Sequence, residues 1–279
     1  MTDTLFVTDL DGTLLLPDVS VSERSRSILT KLLNEGLQLT VATARTSFTV
    51  MPLLEGIPFS LPLILQNGSV LHDPVRNRIT DAAGIPQNAY LAVCELYQRF
   101  GFNGFVFCVP DDQLRCCYTE LSTPHMQRYY QARHDRFGKP FYQVRSMPAL
   151  KSDCPVYMSL NAPKPVLDPL REELRTIDGI TVAYYQDVYE PEIWYLEISA
   201  PEASKFHGVR KVQQITGARH VTGFGDNRND FPLFEACDTK IAVGNAADIL
   251  KERADLVIGC NTEDAVAEYL QKTFHGGVI

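Results

Sequence analysis

The sequence predicts an α/β protein with a Rossmann-like, doubly wound parallel sheet core and an inserted α+β domain. The first observation is that short apolar runs alternate with amphipathic helical segments in residues 1–82 and again in 197–279. The second is that residues 83–196 mix helices with hairpin-like pairs of strands, as a separate α+β domain does. The third is that polar residues follow the strands of the two outer segments.

The core begins with a strand at 5–7, whose apolar and partly β-branched run is typical of a strand covered on both faces. Asp9 and Asp11 follow it two residues apart, and that spacing sends both side chains to the same side of an extended chain. Gly12 permits a backbone turn directly after them. An Asx-type turn would explain one of these aspartates, but not two at the end of a hydrophobic strand.

The rest of the first segment repeats strand and helix. Ser20 and Glu23 have capping-box spacing and predict a helix from there to about residue 35. The next predicted elements are a strand at 37–42, a short helix ending at 54 and a strand at 61–66. Thr43 and Asn67 come directly after these two strands. Ligands of doubly wound sheets bind beyond the carboxyl ends of the strands, so we expect these three strand ends to line one site.

The insertion and the last segment follow in the same way. The insertion is predicted to hold helices at 86–100, 124–137 and 165–176, hairpin strands at 104–109 and 114–119, and strands at 156–160 and 180–185. A strand at 195–199 is expected to return the chain to the core. It is followed by a helix at 202–216, strands at 221–224, 240–243 and 256–258, and helices ending at 253 and 274.

Composition excludes several classes of partner. The net charge of −8 offers no long-range attraction to nucleic acid or to an anionic membrane, so neither is expected as a partner. No basic segment precedes a long apolar one at the N-terminus, so we expect a cytoplasmic protein whose seven cysteines are reduced. An anionic small molecule would have to be held locally, by a metal or a few cations.

Four short motifs resemble those of the haloacid dehalogenase superfamily, and the insertion resembles the type IIB cap of its Cof-like phosphatases. The resemblance covers essentially the whole chain. It implies a Mg²⁺-dependent hydrolase of small phosphorylated metabolites, with sugar phosphates as the leading class and an aspartyl phosphate as intermediate. The motifs are Asp9-Leu10-Asp11-Gly12-Thr13, Thr43, Lys205 and Gly225-Asp226-x-x-Asn229-Asp230, of which the first and last are specific.

The acidic residues of these motifs fit phosphoryl transfer. Asp9 is the candidate nucleophile. Asp11 can protonate the leaving alkoxide and then deprotonate the attacking water. A phosphate dianion beside several carboxylates needs a hard cation such as Mg²⁺. The resemblance assigns its ligands to the Asp9 carboxylate, the Asp11 backbone carbonyl and Asp226, while Asp230 orients that set.

The other candidates would bind phosphate or substrate. The Thr43 hydroxyl, the backbone N–H groups of Ala44 and Arg45, and the Lys205 ammonium are expected to hold the phosphoryl oxygens. A lysine on a helix is more often solvated than part of a site. The position of Lys205 near the start of the helix that returns to the core favours a role in phosphate binding. Arg45 fits a phosphate contact and a surface ion pair equally well.

Two asparagines, Asn229 and Asn67, each have two possible roles. Asn229 is predicted both to contact substrate and to cap its helix. Asn67 is either a turn residue or, as in Cof-like relatives, a residue that faces the substrate.

Relatives commonly have glycine at the positions that Ala44 and Phe206 occupy here, and both side chains reduce the space for the backbone near the phosphate. Several side chains of the insertion could contact a sugar, although packing is favoured for any single one: Tyr118, His125, Tyr129, Tyr130, Tyr184, Tyr185 and Tyr189.

Two rival functions follow from the same residues. Type IIB relatives include a sugar phosphomutase, which would require an activating bisphosphate. A non-catalytic protein that binds sugar phosphates is the other rival, and the intact set of Asp9, Asp11 and Asp226 argues against it. The sequence makes no prediction of the oligomeric state.

Overall fold

A computed structural model describes residues 3–187 and 190–274, so Tyr189 lies outside the described residues. The chain divides into two compact units. The core unit runs up to Asn77 and resumes at Ser204, and the inserted unit is Arg78–Ala203. These divisions lie several residues from the predicted ones at 82/83 and 196/197. All seven cysteines are free thiols.

Strands and helices alternate along the described chain. The strands are β1 (Thr4–Thr8), β2 (Leu39–Val41), β3 (Leu63–Leu65), β4 (Val70–Asp73), β5 (Arg78–Ala82), β6 (Phe105–Cys108), β7 (Arg115–Tyr118), β8 (Phe141–Gln143), β9 (Pro155–Pro163), β10 (Thr181–Gln186), β11 (Ile193–Ser199), β12 (His220–Gly225), β13 (Thr239–Ala242) and β14 (Leu256–Val257). The helices are α1 (Glu23–Asn34), α2 (Ser47–Val50), α3 (Gln87–Phe100), α4 (Pro124–Phe137), α5 (Lys164–Leu174), α6 (Lys205–Thr216), α7 (Phe231–Glu235), α8 (Asp248–Lys251) and α9 (Ala265–Phe274).

The core unit contains a parallel sheet in the order β14-β13-β12-β1-β2. β1 lies between β12 and β2, and its Val7 lies opposite both Gly223 and Thr40 of these neighbouring strands. Leu5 and Val7 are fully buried, as expected for a strand covered on both faces. The predicted α/β fold with a parallel sheet core is confirmed.

Two predictions for the core unit are wrong. Ser20 does not cap α1, because the Ser22 side chain accepts the hydrogen bond from the Ser25 N–H and the helix begins at Glu23. The third strand is not a full member of the parallel sheet. β3 meets it only through a bridge between Ala42 and Ile64, and it pairs antiparallel with β4. The reason is a sharp turn between β3 and β4, in which the residues at 66–68 all have positive φ.

The inserted unit has a mixed sheet in the order β10-β11-β9-β6-β7-β8. The predicted hairpin of β6 and β7 is confirmed. The prediction that the strand at 195–199 returns the chain to the core is wrong. This segment lies in β11, which pairs antiparallel with β9 and β10. Alternation explains this outcome: Leu196 and Ile198 of β11 are fully buried and pack in the hydrophobic core of the inserted unit.

The parallel strand β8 and the strands β4 and β5 were not predicted, because they are short and carry no clear alternation. Among the helices of the described residues, none combines the length and hydrophobicity needed to span a membrane.

Candidate active site

The chain makes one wide turn directly after β1, over Leu10–Leu14. The Leu15 N–H closes it by donating to the Leu10 carbonyl at 2.9 Å. Gly12 has a φ of +76°, a left-handed conformation that an L side chain rarely adopts. The Asp9 N–H donates to the Phe224 carbonyl at 2.9 Å, which ties the end of β1 to β12. The turn therefore places Asp9 at the carboxyl edge of the sheet.

A buried lysine joins two of the candidate carboxylates. Lys205 Nζ lies 2.6 Å from Asp9 Oδ1 and 2.7 Å from Asp230 Oδ1. Lys205 is 1% exposed, Asp9 3% and Asp230 fully buried. Carboxylate oxygens of Asp9, Asp226 and Asp230 lie within 4.8 Å of one another. One ammonium thus stands among three carboxylates, and the cluster has an excess of negative charge.

Burial, and after it the neighbouring carboxylates, changes the ionisation of this cluster. Burial raises the pKa of Asp9 to about 8, and the Asp230 and Asp226 carboxylates add to this against the opposing effect of Lys205. Burial and Asp230 likewise raise the pKa of Asp226 to about 6. Burial alone would lower the pKa of Lys205, but Asp9 and Asp230 outweigh it and the pKa lies above its usual value. A further cation beside Asp9 and Asp226 would stabilise both as carboxylates.

Asp230 and Asp226 differ in how their oxygens are engaged. Asp230 Oδ2 accepts hydrogen bonds from the N–H groups of Asp226 at 2.9 Å and Asn227 at 3.2 Å. Asp230 Oδ1 accepts from the Lys205 ammonium. The Asp226 carboxylate accepts one hydrogen bond among the described residues, from the Thr13 hydroxyl at 3.4 Å. Asp9 and Asp226 therefore retain oxygen lone pairs, and hard oxygen donors of this kind fit Mg²⁺.

Two asparagines that the sequence analysis missed hold the turn after β1. Asn245 Nδ2 donates to the Gly12 carbonyl at 2.7 Å, and its Oδ1 accepts from the Asn261 N–H at 2.9 Å. Asn261 Nδ2 donates to the Leu15 carbonyl at 2.7 Å. Asn245 follows the strand predicted at 240–243, so its position at a strand end was a signal that could have found it.

The loops that follow β2 and β3 are bound to each other through their backbones. The Asn67 N–H donates to the Thr43 carbonyl at 2.9 Å, and the Gln66 N–H donates to the Arg45 carbonyl at 3.0 Å. The Thr43 hydroxyl accepts from the Arg45 N–H at 3.2 Å, and Thr43 is buried. Ala44 is exposed. Thr43 and Asn67 are thus brought together, as their positions at strand ends predicted.

The turn after β3 also packs against the beginning of α6. A Cβ atom on Gly68, whose φ is +94°, would lie 2.1 Å from the Ser204 carbonyl oxygen. Ser204 caps α6 by accepting a hydrogen bond from the His207 N–H at 3.2 Å. Lys205 is therefore the first residue of a helix whose start is held beside this turn. The Phe206 ring packs edge-on against His207 and under the Arg210 guanidinium.

Arg45 binds Asp11 with two donors. Its Nε lies 2.7 Å from Asp11 Oδ2, and its Nη2 lies 2.5 Å from Asp11 Oδ1. This is a fork-to-fork pair, the geometry that holds a carboxylate most firmly. Asp11 is half-exposed, while the Arg45 side chain is mostly buried. Of the two interpretations of Arg45, the structure shows an ion pair, and its partner is the second aspartate of the first motif.

The capping role predicted for Asn229 is wrong. Asn227 is the cap, because its extended backbone lets its side chain accept from the Arg228 N–H at 2.8 Å and form a capping box with Asp230. Asn229 is exposed. Its contact with substrate stays a prediction.

Gly12→Ala is expected to lower activity by about tenfold or more. A Cβ atom at this position would lie 2.4 Å from Asp226 Oδ2 and would push that carboxylate out of place. Gly217→Ala is the matched control, since its φ is +70° and nothing lies within 4 Å of its added Cβ. Both variants should lose about 1 kcal/mol of stability from the left-handed backbone. Equal activities in the two variants, measured at equal folded fractions, would contradict the prediction.

The chain is similar to known proteins along nearly its whole length. A model of the haloacid dehalogenase-like hydrolase family matches residues 6–270. The chain is 26% identical over 277 residues to pyridoxal phosphate phosphatase YbhA of Escherichia coli, covering 97% of this chain and 98% of that one. It is 25% identical over 285 residues to 5-amino-6-(5-phospho-D-ribitylamino)uracil phosphatase YwtE of Bacillus subtilis, covering 96% and 97%.

Solved structures share the fold. The crystal structure of TM0651 from Thermotoga maritima superposes with a TM-score of 0.78 at 23% identity, covering 98% of this chain and 97% of that one. The subclass IIB sugar phosphatase BT4131 superposes with a TM-score of 0.72 at 18% identity, covering 98% and 99%. Both neighbours share the fold of this chain along nearly its whole length.

Proposed function

The chain belongs to the haloacid dehalogenase-like hydrolase family and is a phosphoric monoester hydrolase, and we propose that it acts on small phosphorylated metabolites with Mg²⁺. Sugar phosphates are the leading substrate class. The observation that carries the proposal is the buried cluster of Asp9, Lys205, Asp226 and Asp230 at the carboxyl edge of the parallel sheet. A buried cluster of this kind costs stability, and such clusters with perturbed pKa values are typical of catalytic sites.

Two aspartates divide the reaction between them. Asp9 attacks phosphorus, the bond between phosphorus and the leaving oxygen breaks, and Asp11 gives that oxygen a proton. Asp11 then takes a proton from water, the water oxygen attacks the aspartyl phosphate, and inorganic phosphate leaves. In this structure Arg45 holds Asp11 as a carboxylate through two N–H donors, so Asp11 acts as an acid only after it leaves this ion pair and takes up a proton. Lys205 holds the Asp9 carboxylate in place and stabilises its charge.

The residues that would hold Mg²⁺ are the Asp9 and Asp226 carboxylates and the Asp11 backbone carbonyl, while Asp230 keeps Asp226 in position. When bound, the ion offsets the negative charge that the phosphate adds to this acidic cluster. The Thr43 hydroxyl, the Ala44 N–H and the Lys205 ammonium are the remaining donors proposed for phosphate oxygens, and the Arg45 N–H joins them once it leaves the Thr43 hydroxyl. Asn67 and Asn229 are proposed to contact the rest of the substrate.

The names of the relatives support small phosphorylated metabolites as substrates, of which sugar phosphates are the class proposed. Two are named for pyridoxal phosphate and for a phosphorylated ribitylaminouracil, and a neighbour of the same fold is a sugar phosphatase. A phosphomutase would transfer the phosphoryl group to a second sugar hydroxyl and would need a bisphosphate to start. Release of inorganic phosphate without any bisphosphate excludes that rival, and turnover of p-nitrophenyl phosphate excludes a protein that only binds.

Removal of divalent metal is expected to abolish phosphate release from a panel of metabolite phosphates, and Mg²⁺ should restore it. The buried carboxylates repel a phosphate dianion unless a cation stands between them. Ca²⁺ should restore little, because it prefers more ligands at longer distances. Full activity of metal-stripped protein in excess chelator would overturn the requirement.

Asp11→Asn is expected to show a defect that depends on the leaving group. Sugar phosphates expel a basic alkoxide, so their turnover should fall by about 10²-fold or more without a proton donor. p-Nitrophenolate leaves without a proton, so that substrate should still phosphorylate Asp9 and give a burst followed by a slow steady rate. Mass spectrometry of acid-quenched protein should detect the trapped phosphate adduct. Its absence in a folded variant that still binds Mg²⁺ would show that the roles of the pair are misassigned.

A further inference from the structure

The loop between β13 and α8 contacts both turns that carry the proposed Mg²⁺ ligands. We name it the linking loop and define it as residues 244–247. Asn245 Nδ2 donates to the Gly12 carbonyl at 2.7 Å, in the turn after β1. The Ala247 N–H donates to the Asp226 carbonyl at 2.8 Å, directly after β12. One short loop of the core unit therefore binds the backbones of both turns.

These two turns are also in direct contact with each other. The Thr13 hydroxyl donates to Asp226 Oδ1 at 3.4 Å, and a Cβ atom added to Gly12 would lie 2.4 Å from Asp226 Oδ2. The Asp11 carbonyl, which is the backbone ligand proposed for Mg²⁺, belongs to the peptide unit that ends at the Gly12 nitrogen. Because a peptide unit is planar and rigid, a movement of Gly12 carries that carbonyl with it. The position of Gly12 therefore controls the separation between the Asp11 carbonyl and the Asp226 carboxylate.

The Asn245 side chain is held at both ends of its amide. While Nδ2 donates to Gly12, Oδ1 accepts from the Asn261 N–H at 2.9 Å. The linking loop is itself tied down, since the Gly244 N–H donates to the Gly259 carbonyl at 2.9 Å. Asn245 is nevertheless exposed. An exposed side chain adds little to the packing of the core, so its hydrogen bonds are its main contribution.

Asn261 makes the same kind of bond at the other end of the same turn. Its Nδ2 donates to the Leu15 carbonyl at 2.7 Å, the distance that also separates Asn245 Nδ2 from the Gly12 carbonyl. Asn261 is 8% exposed and the Leu15 side chain is 1% exposed, so this bond lies in the interior. Leu15 is four positions beyond Asp11. The buried bond is placed to stabilise the fold, and the exposed one is placed beside the proposed ligands.

We propose that Asn245 is a positioning residue for the Mg²⁺ site. Its amide fixes Gly12, and with it the Asp11 carbonyl, against Asp226 before the ion arrives. Without that bond the turn must be ordered when the ion binds, and the affinity for Mg²⁺ falls accordingly. The inference rests on the proposed function, because it concerns the Mg²⁺ ligands named there.

The test compares two asparagines that bind the same turn. Asn245→Ala removes the donor to Gly12, and Asn261→Ala removes the donor to Leu15 but keeps the backbone N–H that Asn245 accepts from. Thr40→Val is a second structural control, since the buried Thr40 hydroxyl donates to the Pro62 carbonyl at 2.6 Å. Metal-stripped protein is titrated with Mg²⁺ alone by calorimetry, and its melting temperature is recorded without and with Mg²⁺.

Asn245→Ala is expected to raise the Mg²⁺ dissociation constant by about fivefold or more, which is the effect of one lost hydrogen bond. Its melting temperature without Mg²⁺ should stay within about 2 °C of the unmodified chain. Turnover of p-nitrophenyl phosphate should need more Mg²⁺ to the same degree, and kcat at saturating Mg²⁺ should recover to within about threefold.

Asn261→Ala and Thr40→Val are expected to show the opposite combination. Each removes a buried donor, so the melting temperature without Mg²⁺ should fall by about 2–4 °C or more. The Mg²⁺ dissociation constant of each should stay within about twofold of the unmodified chain. This contrast separates a residue that positions ligands from one that only stabilises the fold.

Three outcomes would overturn the inference. One is a Mg²⁺ dissociation constant of Asn245→Ala that matches that of the unmodified chain. Another is an equal rise in that constant in Asn245→Ala and in the structural controls. The third is a loss of kcat in Asn245→Ala that no Mg²⁺ concentration restores, which would place the residue in the chemical step. Failure of the proposed function is distinct, since the unmodified chain would then bind no Mg²⁺ or leave p-nitrophenyl phosphate intact.

Discussion

Asp9→Asn is expected to lower phosphate release by on the order of 10⁴-fold or more with every substrate. The amide has nearly the shape of the carboxylate but cannot form an acyl phosphate. Because the nucleophile acts on all substrates alike, the loss should not depend on the leaving group, in contrast to Asp11→Asn. Steady-state release from p-nitrophenyl phosphate and from sugar phosphates measures the loss.

The stability of this variant separates chemistry from folding. Asp9 lies buried among Asp226 and Asp230, so removal of its charge relieves repulsion, while Lys205 keeps its ion pair with Asp230. The melting temperature should therefore not fall. Asp18→Asn, at an exposed position in the loop before α1, is the matched control and should keep full activity. A phosphate adduct on folded Asp9→Asn protein would show that the nucleophile is another residue.

Lys205→Met is expected to lower the free energy of unfolding by about 3–5 kcal/mol, as well as activity. The substitution keeps a long apolar stem but leaves Asp9 and Asp230 without the ammonium that lies 2.6 and 2.7 Å from them. Urea unfolding of the two proteins measures the change. Lys31→Met is the control, because its side chain is 60% exposed and, within the described part of the chain, forms an ion pair with Glu35 at 4.0 Å. That exposed pair should contribute less than about 1 kcal/mol.

Added Mg²⁺ should recover part of the stability that Lys205→Met loses, since a cation among the same carboxylates replaces some of the missing charge. It should stabilise Lys31→Met no more than it stabilises the unmodified chain. A loss of less than about 1 kcal/mol in Lys205→Met would mean that the carboxylates are neutral in the folded protein, and the proposed charge arrangement would then be wrong.

The local patterns of the sequence predicted the core well because they depend on neighbouring residues. Apolar runs followed by polar residues located the strands β1, β2 and β12 and the carboxyl edge that they share. The spacing of Asp9 and Asp11 predicted a chemical pair at that edge. The predicted caps at Ser20 and Asn229 were wrong, since a similar side chain two positions away, Ser22 or Asn227, forms the cap and only the observed backbone distinguishes the two.

The sequence by itself determined which residues reach the carboxyl edge of the sheet, because strand ends and turns follow from local hydrophobicity and from glycine. Only the tertiary structure decided which residues they form ion pairs with. Arg45 binds Asp11, and Lys205 bridges Asp9 and Asp230 across 196 and 25 positions of the chain. The same holds for β11, whose alternating side chains would suit either sheet and whose place was set by packing against β9 and β10. Such pairings are contacts between distant segments, and their free energy appears only when the chain is folded.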